Sequence, residues 1–295
     1  MKRTKSPQAK KVSAILVGDL HLREDQPVCR TDNFWDAQWE KLMWLQGLQQ
    51  KYDCPVYCSG DVFHHWKASP YLISLALNTL PNHFWTVYGN HDLPGHNYVL
   101  RDKSALRTCE LAAKATAFDE AHWEQEPNKG SLFYPDIDRT ILVWHVMTYK
   151  GQPPWPGCTD LSAEQILTKY PQFDLILTGH NHKSFVQELD DRILVNPGSL
   201  TRQTADQIDD EPSVYLWYAE SNIVEKVGIP HTKGVISRQH IEQVEERKAR
   251  YEAFIARLNQ EGDPELSFEK NLEKYFQQNQ VVKSVKDLIY EQLEA

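Results

Sequence analysis

The strongest constraint on this chain is a repeated punctuation of its apolar runs. Val12 to Val17 runs into Gly18-Asp19-Leu20-His21, Pro55-Val56-Tyr57-Cys58 into Gly60-Asp61, and Phe84 to Tyr88 into Gly89-Asn90-His91-Asp92. Ile141 to Trp144 ends at His145, and Leu175 to Leu177 meets Gly179-His180-Asn181-His182. Short β-rich runs bounded by Gly read as central strands with both faces covered. Between them Asp36 to Gln50, carrying Trp39, Leu42, Met43, Leu45 and Leu48, reads as a helix, as do Pro70 to Leu80 and Leu161 to Lys169. Alternating strand and helix predicts an α/β architecture. After Gly179 the strands Ile193-Leu194-Val195, Val214 to Tyr218 and Ile223 to Val227 follow without helices, with Glu220-Ser221-Asn222 as a hairpin turn. The expected fold joins a parallel-type half to an antiparallel-type half in a layered β-sandwich with flanking helices.

From about His240 the pattern changes. Ile241, Val244, Tyr251, Phe254, Ile255 and Leu258 recur at helical spacing among charges, Gly262-Asp263-Pro264 interrupts, and a second amphipathic segment begins near Ser267. The expected organisation is a basic arm (1–11), a catalytic domain (12–235) and a helix–loop–helix tail (236–295). With 41% hydrophobic residues the chain can build a large core, yet no apolar run approaches the length that spans a bilayer, so no membrane partner is expected. The net charge of −9 provides no global basic field, so binding of a polyanion must rest on a local patch or on bound cations. Five cysteines, and no hydrophobic stretch of signal-peptide length behind the basic start, point to a reducing, cytoplasmic setting. Cys54 and Cys58 are spaced more widely than Cys-x-x-Cys and lack a second pair, which makes them small core residues rather than zinc ligands.

The chemistry gathers where the strands end, because loops converge there while the strands hold them rigidly. Asp19 and His21, one residue apart, can address one point. Asp61 offers a carboxylate able to bridge two cations, Asn90 a neutral oxygen, and His145, His180 and His182 imidazoles. Carboxylate, amide and imidazole without thiolate suit divalent Mn, Fe or Zn. Two such cations polarise a phosphoryl group, lower the pKa of water and stabilise a leaving oxygen. His91 is placed to protonate that oxygen, and Asp92 to hold its other ring nitrogen. Any one Gly-Asp or Gly-His pair is common in turns. The whole ordered set is not.

Those ordered motifs, together with His145, resemble the calcineurin-like metallophosphoesterase superfamily over roughly residues 12–230. The resemblance implies that Asp19, His21, Asp61 and His182 hold one metal and that Asp61, Asn90, His145 and His180 hold the other. It also implies that His91 is the catalytic acid. Phe63-His64 and Asn90-His91-Asp92 depart from the serine/threonine phosphatase branch. Gly60-Asp61-Val62-Phe63-His64 is similar instead to the second motif of the SbcD, or meiotic-recombination, type of DNA-repair nuclease. There a histidine in the place of His64 assists phosphodiester positioning. Arg30-Thr31-Asp32-Asn33-Phe34 resembles the start of that family's first helix, and Asn196-Pro197-Gly198-Ser199-Leu200-Thr201-Arg202 resembles its Pro-Gly-Ser-x-x-Arg segment.

The leading expectation is therefore a phosphodiesterase that acts on DNA with two divalent metal ions, Mn first and Fe, Zn or Mg as alternatives. Its expected site comprises His91, His64 and Asp92 for catalysis and Asp19, His21, Asp61, Asn90, His145, His180 and His182 for metal. The rivals are a stand-alone metallophosphatase or small-nucleotide phosphodiesterase, and a non-catalytic protein-binding scaffold of the same fold. The family's DNA-capping domain has no counterpart in the short tail. The tail is similar in kind to the helices that grip the coiled coil of an SbcC-like ATPase, with Phe254, Leu258, Leu272, Tyr275, Phe276, Leu288 and Leu293 as anchors. Packing on the chain's own core is the alternative, and a homodimer is a further option. Weaker features are the basic arm Lys2, Arg3, Lys5, Lys10 and Lys11 and the loop Tyr149 to Gly157, whose Trp155 could stack a base.

Overall fold

The computed structural model describes residues 11–118, 129–134, 138–261 and 267–293. The first half alternates β1 (Ala14–Val17), α1 (Phe34–Tyr52), β2 (Val56–Cys58), α2 (Pro70–Thr79), β3 (Phe84–Thr86), α3 (Ala105–Leu111) and β4 (Ala115–Ala117). Then come β5 (Lys129–Tyr134), β6 (Arg139–Trp144), α4 (Ala163–Lys169), β7 (Leu175–Thr178), β8 (Phe185–Leu189), β9 (Arg192–Asn196), β10 (Ser213–Tyr218) and β11 (Ile223–Gly228). Helices α5 (Gln239–Glu261), α6 (Phe268–Gln278) and α7 (Lys283–Leu293) close the chain.

The described strands form two sheets, ordered β11-β10-β1-β2-β3-β4 and β5-β6-β7-β9-β8. Each has parallel central strands and antiparallel neighbours: β1 pairs parallel with β2 and antiparallel with β10, and β7 pairs parallel with β6 and β9. This corrects the expected division into a parallel and an antiparallel half. The boundary falls after β4: β5, β6 and β7 open the second sheet, and β10 returns to pair with the first strand of the chain. Side-chain alternation explains the arrangement. Ala14 and Leu16 join Tyr57, Ile141, Val143, Leu175, Leu177 and Trp217 in the apolar layer shared by the two sheets. Ile15 and Val17, of opposite parity, join Leu42, Leu45, Leu72 and Leu106 under α1 to α3, while Leu142, Ile176 and Leu194 meet Ile166 and Leu167 of α4. A strand with both parities apolar must be covered on both faces, and a third layer alone achieves that.

The helices start where their sequence stops a strand. Asn33 caps α1 by accepting from the Asp36 N–H, and Ser69 precedes Pro70 at the start of α2. Ser162 and Gln165 form a reciprocal capping box on α4.

The chain divides into two compact units, one ending at Ser237 and one starting at Arg238. Ile236 bridges to Arg30, and the Ser237 N–H donates to the Cys29 carbonyl, which ties both residues to the first unit. In the second unit the expected helix–loop–helix is three helices, because the segment after Ser267 turns at Gln280, whose φ is +50°. Leu272 and Phe276 are buried against Phe254, Ile255, Tyr275, Ile289 and Tyr290, so four of the expected partner anchors pack within the unit. Leu288 is exposed. Residues 1–10, the Gly262-Asp263-Pro264 break and the side chains of Leu258 and Leu293 lie outside the described part. No helix among the described residues is long and apolar enough to cross a membrane.

Candidate metal centre

Every expected ligand sits just beyond a strand end: Asp19 and His21 after β1, Asp61 after β2, Asn90 after β3, His145 after β6, His180 and His182 after β7. Both sheets contribute. The turns that aim these side chains are tight, and His21, Asp61 and His180 take left-handed backbone conformations at φ 47°, 51° and 71°. For residues with a Cβ this is strain, held in place by the surrounding fold. Gly89 leaves the space that Asp61 occupies, since a Cβ there would lie 2.0 Å from Asp61 Oδ1. A Cβ on Gly18 would lie 2.0 Å from the carbonyl oxygen of Gly198, so the Asp19 loop and the Pro197-Gly198 turn are pressed together.

Two groups of donor atoms result. The candidate donors of Asp19, His21 and His182 lie within 4.8 Å of one another, as do those of Asp61, His145 and His180. Asn90 Oδ1 joins the second group, 3.0 Å from His145 Nε2 and 2.9 Å from His180 Nδ1. Asp61 links the two: its Oδ2 is 3.2 Å from His145 Nε2 and 3.6 Å from His21 Nε2. Its Oδ1 accepts the His91 main-chain N–H at 2.8 Å, so the face toward both groups is a single oxygen rather than the pair. The structure thus brings all seven expected ligands together.

The donor chemistry fits divalent cations. Asp19 and Asp61 are essentially inaccessible to solvent, yet the side chains that face them are imidazoles; among the described residues neither pairs with Lys or Arg. Buried carboxylates need compensating charge. His21 Nε2 and His182 Nε2 stand 3.1 Å apart, close to the roughly 3.0–3.4 Å edge between two nitrogens on a cation with ~2.1 Å bonds. His145 Nδ1 donates to the Ser59 carbonyl at 2.8 Å, which leaves Nε2 to the centre.

Titration without metal fits the same reading. Burial opposes ionisation of Asp61, but the His145 imidazole overrides it and holds the carboxyl well below the usual range. Burial likewise opposes the charge on His145, yet Asp61 lifts it to about 10. Burial raises Asp19 and lowers His21; burial and then His145 bring His180 down to about 4. The mutual attraction of His145 and Asp61 thus supplies, without metal, part of the charge compensation that a cation would supply there.

The expected catalytic trio is corrected in one respect. Both oxygens of Asp92 are taken by main-chain donors: Oδ1 accepts from Phe63 N–H at 2.9 Å, and Oδ2 from Val62 and Gly89 N–H, each at 3.1 Å. Asp92 therefore staples the Asp61 loop to the Asn90 loop and does not hold His91. The His91 ring instead donates from Nδ1 to the His64 carbonyl at 2.7 Å, so its Nε2 is left for the site. A fully buried carboxylate goes to whichever donors the tight turns orphan, and here these are main-chain N–H groups. The His64 ring stacks on His91 at 5.2 Å and 25°, and stands edge-on to His21 at 5.5 Å. Donor atoms of His21, His64 and His91 also fall within 4.8 Å of one another, a third cluster sharing His21.

Other supports lie outside the ligand motifs, in segments to which the sequence reading gave no structural role. Asn181, between two ligands, donates to the Thr148 carbonyl, and Asn196 donates to the carbonyls of Asn181 and Lys183. Leu200 N–H donates to the Asp19 carbonyl, and Gln203 Nε2 to that of His21. Pro197 to Gln203 is thus a buttress beneath the first ligand loop, and Arg30 locks it by donating to the Arg202 carbonyl at 2.9 Å while gripping Asp32 with two bonds. The position of Asn196 ahead of Pro-Gly was the available signal; main-chain acceptors such as Ser59 leave none. Cys54 and Cys58 are buried in the apolar cluster under the helices. Trp155 is half-exposed on a loop whose ends, Tyr149 and Ser162, bridge to each other.

The family model described as the calcineurin-like phosphoesterase superfamily domain matches residues 13–220. A search of curated protein sequences finds no match. Among solved structures, the chain is similar to a novel archaeal phosphodiesterase at 16% identity, covering 73% of this chain and 99% of that one with a TM-score of 0.43. A metallophosphoesterase from Sphaerobacter thermophilus gives 16% identity, 74% and 89% coverage and a TM-score of 0.38. Vps29 from Entamoeba histolytica, complexed with zinc, gives 15%, 73% and 97%, and 0.35.

Proposed function

The chain belongs to the calcineurin-like phosphoesterase superfamily, and we propose that within it this metal-dependent phosphoesterase is a phosphodiesterase acting on DNA, of the SbcD-like kind. The observation that carries the reading is the His64–His91 pair, stacked at 5.2 Å beside His21 and the Asp61 bridge. A diester offers two non-bridging oxygens that share one charge and a leaving sugar oxygen that needs a proton. Asp19, His21, Asp61 and His182 would hold one cation, and Asp61, Asn90, His145 and His180 a second. Such cations, with Mn proposed first, would polarise the phosphoryl oxygens and lower the pKa of water. His91, anchored at Nδ1 by the His64 carbonyl, presents Nε2 to the departing oxygen and gives it a proton. His64, stacked on His91, would direct a ring donor toward a non-bridging oxygen and so orient the polymer.

Exposed Val244, Tyr251 and Leu288 on the second unit support a helical partner such as an SbcC-like ATPase coiled coil. The complete ligand set with His91 in place counts against a non-catalytic scaffold.

The test is a substrate panel in Mn: single- and double-stranded DNA, bis(p-nitrophenyl) phosphate, p-nitrophenyl phosphate and cyclic nucleotides. DNA and the activated diester should be cleaved, the monoester poorly. His64→Ala should depress DNA cleavage at least tenfold more than hydrolysis of the small diester, which needs less orientation. Equal losses, or activity confined to the monoester or to cyclic nucleotides, would transfer the assignment to the small-molecule rivals.

A further inference from the structure

Arg23 follows the ligand His21 by two residues and offers the metal centre no ligand atom. Its place is set by two segments that leave the centre side by side. His21 N–H donates to the Asp61 carbonyl and Leu22 N–H to that of Val62, each at 2.9 Å, and His64 N–H returns to the Leu22 carbonyl at 3.0 Å. Leu22 and Phe63 bridge in parallel and are buried in the apolar cluster under the helices. Arg23 and His64 are therefore the next residues of the two segments, one step past the ligands.

The fold fixes this arginine at both ends. Buried Gln38 of α1 accepts the Arg23 main-chain N–H at 3.1 Å and donates to its carbonyl at 2.7 Å. Asp25 takes one edge of the guanidinium, with Nε donating to Oδ1 at 3.0 Å and Nη2 to Oδ2. Nη1 donates to Gln203 Oε1 at 3.2 Å, and the same amide donates from Nε2 to the His21 carbonyl at 3.1 Å. One amide thus separates the guanidinium from the ligand loop. A solvated Arg–Asp pair alone is an ordinary surface feature. Here two glutamines hold the residue as well, one from α1 and one from the buttress, against the entropy of a long side chain. Such placement prepares a side chain for recognition.

A guanidinium has five N–H groups. Three are engaged among the described residues, which leaves one on each Nη, and the side chain keeps 15% of its surface exposed. Two N–H groups on one planar fork match two oxygens of a phosphate. Asp25 is 70% exposed, so water screens its charge. In a chain of net charge −9, a fixed cation beside the centre is the local feature that a polyanion requires.

We propose that Arg23 binds the phosphate next to the scissile one, so that the centre favours a polynucleotide over a diester with a single phosphate. The substrate rests on the DNA phosphodiesterase reading, in which the metal ligands, His64 and His91 serve the scissile group. Arg23, one step beyond, meets the next phosphate of the strand.

Two readouts on the full-length protein test this. The first uses thymidine trinucleotides in Mn, with one phosphate replaced by a neutral methylphosphonate, so that the scissile linkage has an uncharged neighbour. On one side of the scissile linkage this replacement should lower the wild-type kcat/KM about tenfold or more, but that of Arg23→Gln no more than about threefold. Arg23→Lys, which keeps the charge without the fork, should fall between. The second readout is the anisotropy of a fluorescein-labelled oligothymidylate on Mn-loaded His91→Gln protein, which is slow to turn over. Adding Arg23→Gln should reduce the slope of log K against log salt by about 0.7, the share of one single-strand phosphate. An arginine that only braces the loop would depress all trinucleotides equally and leave the salt slope unchanged. Either result in a variant with a normal thermal melt overturns the proposal, as does a wild type indifferent to the methylphosphonate on both sides. An Arg23-dependent salt slope in a protein that cleaves no DNA would sink the DNA phosphodiesterase reading and leave Arg23 as a phosphate-binding residue.

Discussion

Gly89→Ala tests whether the bridging carboxylate is positioned by the absence of a single methyl group. The added Cβ would lie 2.0 Å from Asp61 Oδ1, 2.3 Å from Asp61 N and 2.6 Å from its Cγ, whereas ordinary contact starts near 3.4 Å. Turning the Asp61 side chain cannot relieve the clash, because the main-chain nitrogen is among the atoms struck. The loop itself must retreat by roughly 1 Å or more, beyond the ~0.5 Å within which a catalytic constellation stays productive. Overpacking of this sort costs about 1–3 kcal/mol of stability. Misplacement by ~1 Å costs about 10²-fold in rate. The assay is metal content after dialysis, kcat/KM on bis(p-nitrophenyl) phosphate and a thermal melt, run beside Gly47→Ala. Gly47 lies exposed within α1 with nothing within 4 Å of a new Cβ, so that control should stabilise by about 0.5–1 kcal/mol and leave metal untouched. A Gly89→Ala protein with two metals bound and near-normal turnover would refute the placement of Asp61.

Three further outcomes are expected. His91→Gln should lower turnover about 10²–10⁴-fold while metal content stays normal, since His91 stands outside the two ligand groups linked by Asp61; metal loss would show it to be a ligand within the His21–His64–His91 cluster. Chelated protein should lose stability as pH rises from 6.5 to about 10: the His145 pKa is raised on folding, so its contribution is complete below the unfolded value and disappears through the folded one. The metal-loaded protein should lack that slope, and metal binding near neutral pH should release protons, measurable by calorimetry in buffers of different ionisation enthalpy. Deletion of residues 238–295 should leave a cooperatively melting, hydrolytically active unit, because the first unit has its own apolar layers; failure of the truncated chain to fold would show that the helices complete its core.

How much was legible in the sequence depends on how local the signal is. An apolar tetrapeptide such as Ala14-Ile15-Leu16-Val17 must be covered on both faces, and a Gly followed by Asp or His must turn, so the central strands, α1, α2, α4 and the seven candidate ligands could be read from neighbours in the chain, whereas β4, β5, β8 and α3, which carry weaker patterns, were missed. Which strands share a sheet could not be read, because β1 and β10 lie some two hundred residues apart and pair by complementary faces rather than by any local pattern. The role of Asp92 was missed for a related reason. Adjacent to His91 in sequence, it is turned toward the N–H groups of Val62, Phe63 and Gly89, donors that carry no residue-specific mark. The tail shows the same limit: helical spacing identified apolar faces, but it took α5, α6 and α7 folding on one another to bury Leu272 and Phe276. Chain-local chemistry determined which residues could bind metal and that they would stand at strand ends. Only the tertiary structure decided that a single oxygen of Asp61 faces both ligand groups, because that oxygen's neighbours arrive from loops of two different sheets and exist as a set only once the sheets have packed.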